Sequence, residues 1–273
     1  MQEVKLKNVP QTMLWTLHNR ATEAMRKDGI IKDERAIEIY HSIKYDYEGD
    51  FGKGEPSHAV RSLTFDKEIR NFIQNFPGCS IVNLGEGLET QRFRFSNENA
   101  TWISVDLPDA IELREQFIQT DERHLHASVS ALDRKWFELI PKDKPIFISA
   151  QGLFMYFNER DVKSLILDIV DTFKTGCVMF DTIPVWLSKK TISAKGWRKT
   201  KNYTTPKMPW GINRNRINEI DQWSHHILEV NDIPYEFPKE RGIQGNIFNM
   251  FARTPILGKY FPTMVKIKFE NKR

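Results

Sequence analysis

Two glycines and an aspartate hold the most readable chemistry in this chain. The apolar run Ile81-Val82-Asn83-Leu84 stops at Gly85-Glu86-Gly87. Glycine at the carboxyl end of a strand lets the backbone approach a ligand where a Cβ would stand in the way. A second strand-like run, Thr101-Trp102-Ile103-Ser104-Val105, ends in Asp106, whose carboxylate can accept two hydrogen bonds from a ribose diol. Together they describe a nucleoside-binding crevice in an open α/β sheet. Each also has a plainer reading: the glycines could serve only a tight turn, and Asp106 could cap the helix that begins after Pro108.

The residues that follow narrow the choice of nucleoside. A dinucleotide fingerprint needs a third glycine where the chain has Thr90. A phosphate-binding loop needs a Gly-Lys-Ser/Thr that does not follow. S-adenosylmethionine remains, a ligand with a ribose but no phosphate to cradle.

These residues need a sheet to position them, and the pattern from Cys79 onward supplies one. Strand-like runs at 80–84, 101–105, 124–128, 145–150 and 177–183 alternate with helical patterns around 87–95, 108–119, 133–140 and 158–174. The last of these helices begins with Asn158 at the N-cap and Asp161 in an acidic first turn. Val162, Leu165, Ile166, Ile169 and Phe173 form its apolar stripe, and Gly176 lies just past its end. Residues 11–45 and 60–76 read as helices, with a glycine-spotted loop between them. Residues 184–215 show no regular pattern but contain Trp186, Trp197, Tyr203 and Trp210, which suggests an insertion over the site. Helices are expected over about 216–231 and 241–252, and a final strand over 264–269. The chain divides into an N-terminal helical cap (1–76), a cofactor-binding core (77–183), a lid or substrate insertion (184–218) and a C-terminal completion of the sheet (219–273), all within a single domain (1–273).

Composition is that of an ordinary globular domain, with 40% hydrophobic and 28% charged residues. No apolar run is long enough to span a bilayer and the start lacks the apolar stretch of a secretion signal, so the expectation is a cytoplasmic protein without a membrane partner. Cys79 and Cys177 each adjoin a strand and read as buried thiols in a reducing compartment. The seven histidines show no ligand-like grouping, so no metal is expected. A net charge of +4 is too mild to argue for nucleic acid. It is unevenly spread: between Asp181 and Glu219 there is no acid, while Lys189, Lys190, Lys195, Arg198, Lys199, Lys201, Lys207, Arg214 and Arg216 are basic. Such a cluster could hold an anionic substrate, or be the chance bias of a solvated loop. Oligomeric state is not readable.

Four segments resemble the leucine carboxyl methyltransferase family, including its bacterial members similar to polyketide O-methyltransferases. Val82-Asn83-Leu84-Gly85-Glu86-Gly87-Leu88-Glu89-Thr90-Gln91 is similar to the family's V-N-L-G-x-G-L-D-T-R, with Glu89 and Gln91 in place of Asp and Arg. Val105-Asp106-Leu107-Pro108 matches V-D-L-P. Gln151-Gly152-Leu153-Phe154-Met155-Tyr156-Phe157 matches E-G-L-x-M-Y-L with Gln for the acid, and Arg61-Ser62-Leu63-Thr64-Phe65-Asp66 resembles R-T-x-x-F-D. The likeness covers about 58–183.

The resemblance implies a class I, Rossmann-like methyltransferase fold, with a seven-stranded, mostly parallel sheet in the order 3-2-1-4-5-7-6 and strand 7 antiparallel. It implies S-adenosylmethionine across the carboxyl ends of strands 1, 2 and 4, held by Asn83, Gly85, Gly87, Asp106, Leu107 and Gln151. Arg61 would pair with the cofactor's carboxylate, or else form a surface salt bridge. After strand 3, in Ser130-Ala131-Leu132-Asp133, Ser130 and Asp133 compete for the adenine amino group, and Asp133 could instead cap a helix. Gln151 offers a dipole where the family has a charge. Tyr156 and Phe157 pack near the cofactor or in the core. No base is evident: Gln151 and Tyr156 are the catalytic candidates, and the work is alignment and exclusion of water.

An ionised carboxylate needs no base at neutral pH, whereas a phenol does. The absence of a His–acid pair and the basic insertion therefore favour O-methylation of a carboxylate on a small molecule or peptide, with Lys195, Arg198, Tyr203, Trp210 and Arg214 as candidate substrate contacts. O-methylation of a hydroxyl on a polyketide-like natural product is the alternative. A third is a non-catalytic protein that binds the cofactor.

Overall fold

The computed structural model describes residues 2–3, 9–95, 99–238, 247, 249–252, 254 and 257–272. A seven-stranded sheet organises them. Its strands are β1 (Cys79–Leu84), β2 (Ala100–Asp106), β3 (His124–Ser128), β4 (Ile146–Ala150), β5 (Thr175–Thr182), β6 (Ile227–Pro234) and β7 (Thr263–Glu270). The order is β3-β2-β1-β4-β5-β7-β6, the order that the resemblance implies. Strands β1 to β5 are parallel, and β7 runs antiparallel to both β5 and β6. Since β2 and β4 flank β1, the chain reverses its direction of travel across the sheet there, and this opens a crevice at the carboxyl ends.

All six residues of β1 are buried, as expected of a parallel strand covered on both faces. Val82 and Leu84 face a core built with helix α6 (Glu159–Thr172), while Cys79 and Ile81 face one built with Phe65, Ile69 and Ile73 of helix α4 (Ser57–Asn75). The buried stripe of α6 is Val162, Leu165, Ile166, Ile169 and Val170. Asn158 stands at its N-cap without a capping side-chain bond, and Gly176 lies inside β5. A third cluster belongs to the helices ahead of the sheet, α1 (Thr12–Ala24), α2 (Glu34–Ser42) and the single turn α3 (Tyr47–Phe51), with α5 (Pro108–Glu115) contributing from the sheet side. The glycine-spotted loop contains α3, which Asp46 starts by accepting from the Gly49 N–H.

Three local expectations are corrected. The pattern at 87–95 yields only a 3-10 turn at Gln91–Arg94, because Gly87 holds a positive φ of 52° and Thr90 turns its hydroxyl inward. Residues 216–231 are not a helix: a 3-10 segment, Arg214–Trp223, ends before Ser224, and the chain then enters β6, whose backbone pairs with β7. The insertion is not without regular structure, since Val185–Ile192 form helix α7 with Leu187 buried. The expected helix over 241–252 lies largely outside the described residues. Among the described residues no helix is long and apolar enough to cross a membrane.

Candidate active site

The crevice encloses a cavity of about 230 Å³, with Asn83, Gly85, Gly87, Asp106, Leu107, Ser130, Ala131 and Gln151 among its lining residues. Gly85 and Gly87 adopt φ of 61° and 52°, a region that costs a residue with a Cβ. There is also no room: a Cβ on Gly85 would lie 2.7 Å from Leu153 Cδ1, and one on Gly87 would lie 2.8 Å from Met13 Cβ. Met13 belongs to α1, so the helical cap closes directly onto the glycine loop.

Asp106 ends β2 with both oxygens turned back toward backbone. Its Oδ2 accepts from the Gly87 N–H at 2.7 Å and its Oδ1 from the Leu107 N–H at 2.8 Å. It does not cap α5, whose N-cap is Leu107 without a side-chain bond. Burial raises its pKa, against the opposing pull of those two N–H groups and Arg114. A carboxylate so fixed at the strand end, beside a glycine loop that a Cβ would fill, fits the ribose of S-adenosylmethionine.

Three arginines that the sequence reading passed over hold the loop in place. Arg114 Nη1 donates to the carbonyls of Gly87 and Glu89, each at 2.8 Å, and Arg20 Nη2 donates to that of Leu88 at 2.8 Å. Glu89 lies 3.1 Å from Arg20 and 3.0 Å from Arg94, which also contacts Asp33 and Asp66 at 2.7 and 2.6 Å. Burial pushes the Glu89 carboxyl up, but Arg20 and Arg94 outweigh it and hold the pKa down at about 2. Thr90, standing where a dinucleotide site would have glycine, donates to Asp33 at 2.6 Å. The position is therefore spent on anchoring the loop.

On the far wall Ser130 and Ala131 line the cavity, but Leu132 packs against the core and Asp133 caps a 3-10 segment by accepting from the Lys135 N–H at 3.1 Å. Of the two residues competing for the adenine position, only Ser130 faces the crevice. Gln151 and Gln91, two of the departures from the family motifs, meet each other: Gln151 Nε2 lies 3.5 Å from Gln91 Oε1, and Gln91 Nε2 donates to Asp66 at 2.7 Å. Gln151 Oε1 is buried with no hydrogen bond among the described residues.

A second cavity of about 390 Å³ adjoins the first, and Thr12, Thr16, Arg61, Gly152 and Tyr156 line both. Its walls are mostly apolar, with Trp15, Met155, Ile183, Leu187, Trp197 and Met208. Its polar groups cluster at the junction, where Arg61 Nη1 lies 3.1 Å from Asp181 Oδ2. The Gly152 N–H donates to Asp181 Oδ1, and the Tyr235 hydroxyl lies 3.4 Å from Oδ2. Arg61 is therefore buried in an ion pair and does not form a surface salt bridge. Burial pushes the Tyr156 hydroxyl up to about 12, so it stays protonated at neutral pH.

The five candidate substrate contacts lie outside both cavities. Lys195 is exposed, and Arg198 donates to the Lys201 carbonyl at 2.6 Å. Tyr203 is buried against Phe51, Trp210 packs on Phe180 in the core, and Arg214 pairs with Asp232 at 2.6 Å. The insertion instead presents Leu187, from α7, and Trp197, Lys199 and Met208, from the chain beyond it, to the cavity. Sequence reasoning also missed Trp15, His58, Asp181 and Tyr235. His58 precedes Arg61 by one helical turn of α4, and Asp181 lies near the end of a strand candidate, so both were findable. Tyr235 follows the strand misread as helix.

The family model described as leucine carboxyl methyltransferase matches residues 14–170, more than half of the chain. The chain belongs to that family. Among relatives of this leucine carboxyl methyltransferase family member is the tetracenomycin polyketide synthesis O-methyltransferase TcmP of Streptomyces glaucescens. It is 26% identical over 234 residues, covering 82% of this chain and 85% of that one. The S-adenosyl-L-methionine-dependent methyltransferase dpfgK of Gibberella zeae is 25% identical over 201 residues, 66% and 67% of the two chains. The N-methyltransferase NodS from Bradyrhizobium japonicum WM9, solved with S-adenosyl-l-homocysteine, shares the fold with a TM-score of 0.51 and 10% identity, covering 98% of this chain and all of that one. The protein is an S-adenosylmethionine-dependent methyltransferase.

Proposed function

We propose that the enzyme O-methylates a carboxylate on a small aromatic molecule lodged in the second cavity. S-adenosylmethionine supplies an activated methyl group, so the protein's own residues have to align, enclose and leave the acceptor oxygen unprotonated. Gly85, Gly87 and Asp106 fix the nucleoside end, and Arg61, in the wall common to both cavities, takes the amino-acid end of the cofactor. The apolar walls set by Trp15, Met155 and Trp197 receive the acceptor's rings and exclude water.

The observation that carries the choice of acceptor is the state of Asp181. This carboxylate at the junction is already bound by Arg61, the Gly152 N–H and Tyr235, so its oxygens are turned to those partners and not to an acceptor. The Tyr156 hydroxyl is held protonated. An acceptor that is ionised at neutral pH fits such a site better than a phenol with a pKa of about 10. TcmP, a polyketide-synthesis O-methyltransferase by name, is consistent with a ringed acceptor.

The test supplies methyl-labelled cofactor with matched aromatic acids and phenols. Label released as methanol by mild alkali marks an ester and supports the reading. Label stable to alkali on a ring hydroxyl favours the alternative of hydroxyl O-methylation on a polyketide-like scaffold.

A further inference from the structure

His58, on the first turn of α4, lines the second cavity and takes no part in the reaction outlined above. Its Nδ1 lies 2.7 Å from Asn19 Nδ2, on α1. The orientation of that amide is fixed from its other end, because Asn19 Oδ1 accepts the Glu55 N–H at 3.2 Å. Asn19 is buried, so its NH2 group faces the ring and His58 Nδ1 must accept. A neutral imidazole accepting at Nδ1 carries its proton on Nε2. Burial first, then the nearby charges of Arg61, Arg20 and Lys199, disfavour the imidazolium, with Glu89 opposing. The ring therefore stays neutral, as a donor with one defined direction. Trp15 packs edge-on against it at 5.4 Å and limits its rotation.

The two cations at this cavity already have partners: Arg61 has Asp181 and, under the proposed function, the amino-acid end of the cofactor, and Lys199 has Glu55. Recognition of an anionic acceptor then falls to a neutral donor held in place. We propose that His58 is the positioning residue that selects the acceptor, donating from Nε2 to a carboxylate oxygen while Asn19 holds the ring from behind. This rests on the carboxylate reading of the second cavity. The same tautomer makes Nε2 unfit as a base, so His58 discriminates against acceptors that need a proton removed.

The experiment uses the full-length protein with S-adenosylhomocysteine present. It compares binding of 1-naphthoate and 1-naphthol, which have the same rings, by calorimetry. The wild-type protein is expected to prefer naphthoate. His58→Phe should weaken naphthoate by about ten-fold or more, leave naphthol and S-adenosylhomocysteine unchanged, and melt at the wild-type temperature. His58→Gln, which keeps an N–H donor, should recover most of the preference. Equal losses for both probes would show a structural role and overturn the proposal, as would no preference in the wild-type protein. The binding ratio decides the role of His58, and alkali-labile label transfer decides the proposed reaction, so the two fail separately.

Discussion

Arg61 and Asp181 close to 3.1 Å within the wall that separates the cofactor crevice from the second cavity. They are 120 positions apart in sequence, one on α4 and one at the end of β5. Both are buried, so each depends on the other for charge balance. Arg61→Ala should destabilise the fold by about 3–5 kcal/mol, because it strands a buried carboxylate. Asp181→Asn keeps the shape and should cost less. Chemical denaturation compares the two, and titration with S-adenosylmethionine should show the larger loss of affinity in Arg61→Ala.

The glycine loop predicts a split between two alanine variants. Gly85→Ala directs a methyl at Leu153, a flexible side chain, while Gly87→Ala directs one at Met13 Cβ, close to the α1 backbone. Each carries a left-handed backbone penalty of about 1–2 kcal/mol. Gly87→Ala should lower the melting temperature further, and limited proteolysis should show the α1 region cut earlier than in Gly85→Ala.

Glu89 gives a pH dependence with a defined sign. Its folded pKa, about 2, lies below the ordinary value of 4.5, so its contribution is present above the ordinary value and lost as pH falls through the folded one. Glu89→Gln should be less stable than wild type by about 3–5 kcal/mol at pH 7. Denaturation at successive pH values should show the gap narrowing below about 4.5 toward 2.

Gln151→Glu restores the acid of the family motif, but without the arginine that the motif has at Gln91. A carboxylate here attracts the sulfonium of S-adenosylmethionine and has no such attraction for the neutral sulfur of S-adenosylhomocysteine. Affinity for the first should rise about two- to five-fold relative to the second, on the scale of one weak charge interaction of about 0.5–1 kcal/mol. Parallel titrations with both ligands measure the ratio.

How much of this was legible in sequence depends on the range of the interactions. Strands β1, β2, β4, β5 and β7 announce themselves through short runs rich in apolar residues, and the placement of Gly85, Gly87 and Asp106 follows from where the first two runs end. β6 does not: Leu228 and Glu229 are exposed on an edge strand, so no alternation marks it, and its pairing with β7 is what makes it a strand. The crevice is built from residues close to strand ends, and Ser130 is among those that line it. Asp133, three residues on, was ambiguous until its carboxylate was seen capping its own turn. The second cavity joins α1, α4, β5 and the insertion, segments far apart in sequence. Charge density drew attention to Lys195, Arg198 and Arg214, yet exposed or paired cations mark solvated surface, and the insertion turns Trp197 and Met208 inward instead. Arg20 and Arg114 were invisible because nothing local shows that they are buried, and Arg94 because its partners Asp33 and Asp66 are distant in sequence.

The crevice between Gly85 and Asp106 is expected to bind S-adenosylmethionine, with Asp106 holding its ribose. Calorimetric titration of S-adenosylmethionine into wild type, Asp106→Ala and Asp133→Ala tests it most directly. One-to-one binding is expected in wild type, with an affinity loss of about ten-fold or more in Asp106→Ala and no change in Asp133→Ala. Absence of binding in the wild-type protein, or equal affinity in wild type and Asp106→Ala, would contradict it.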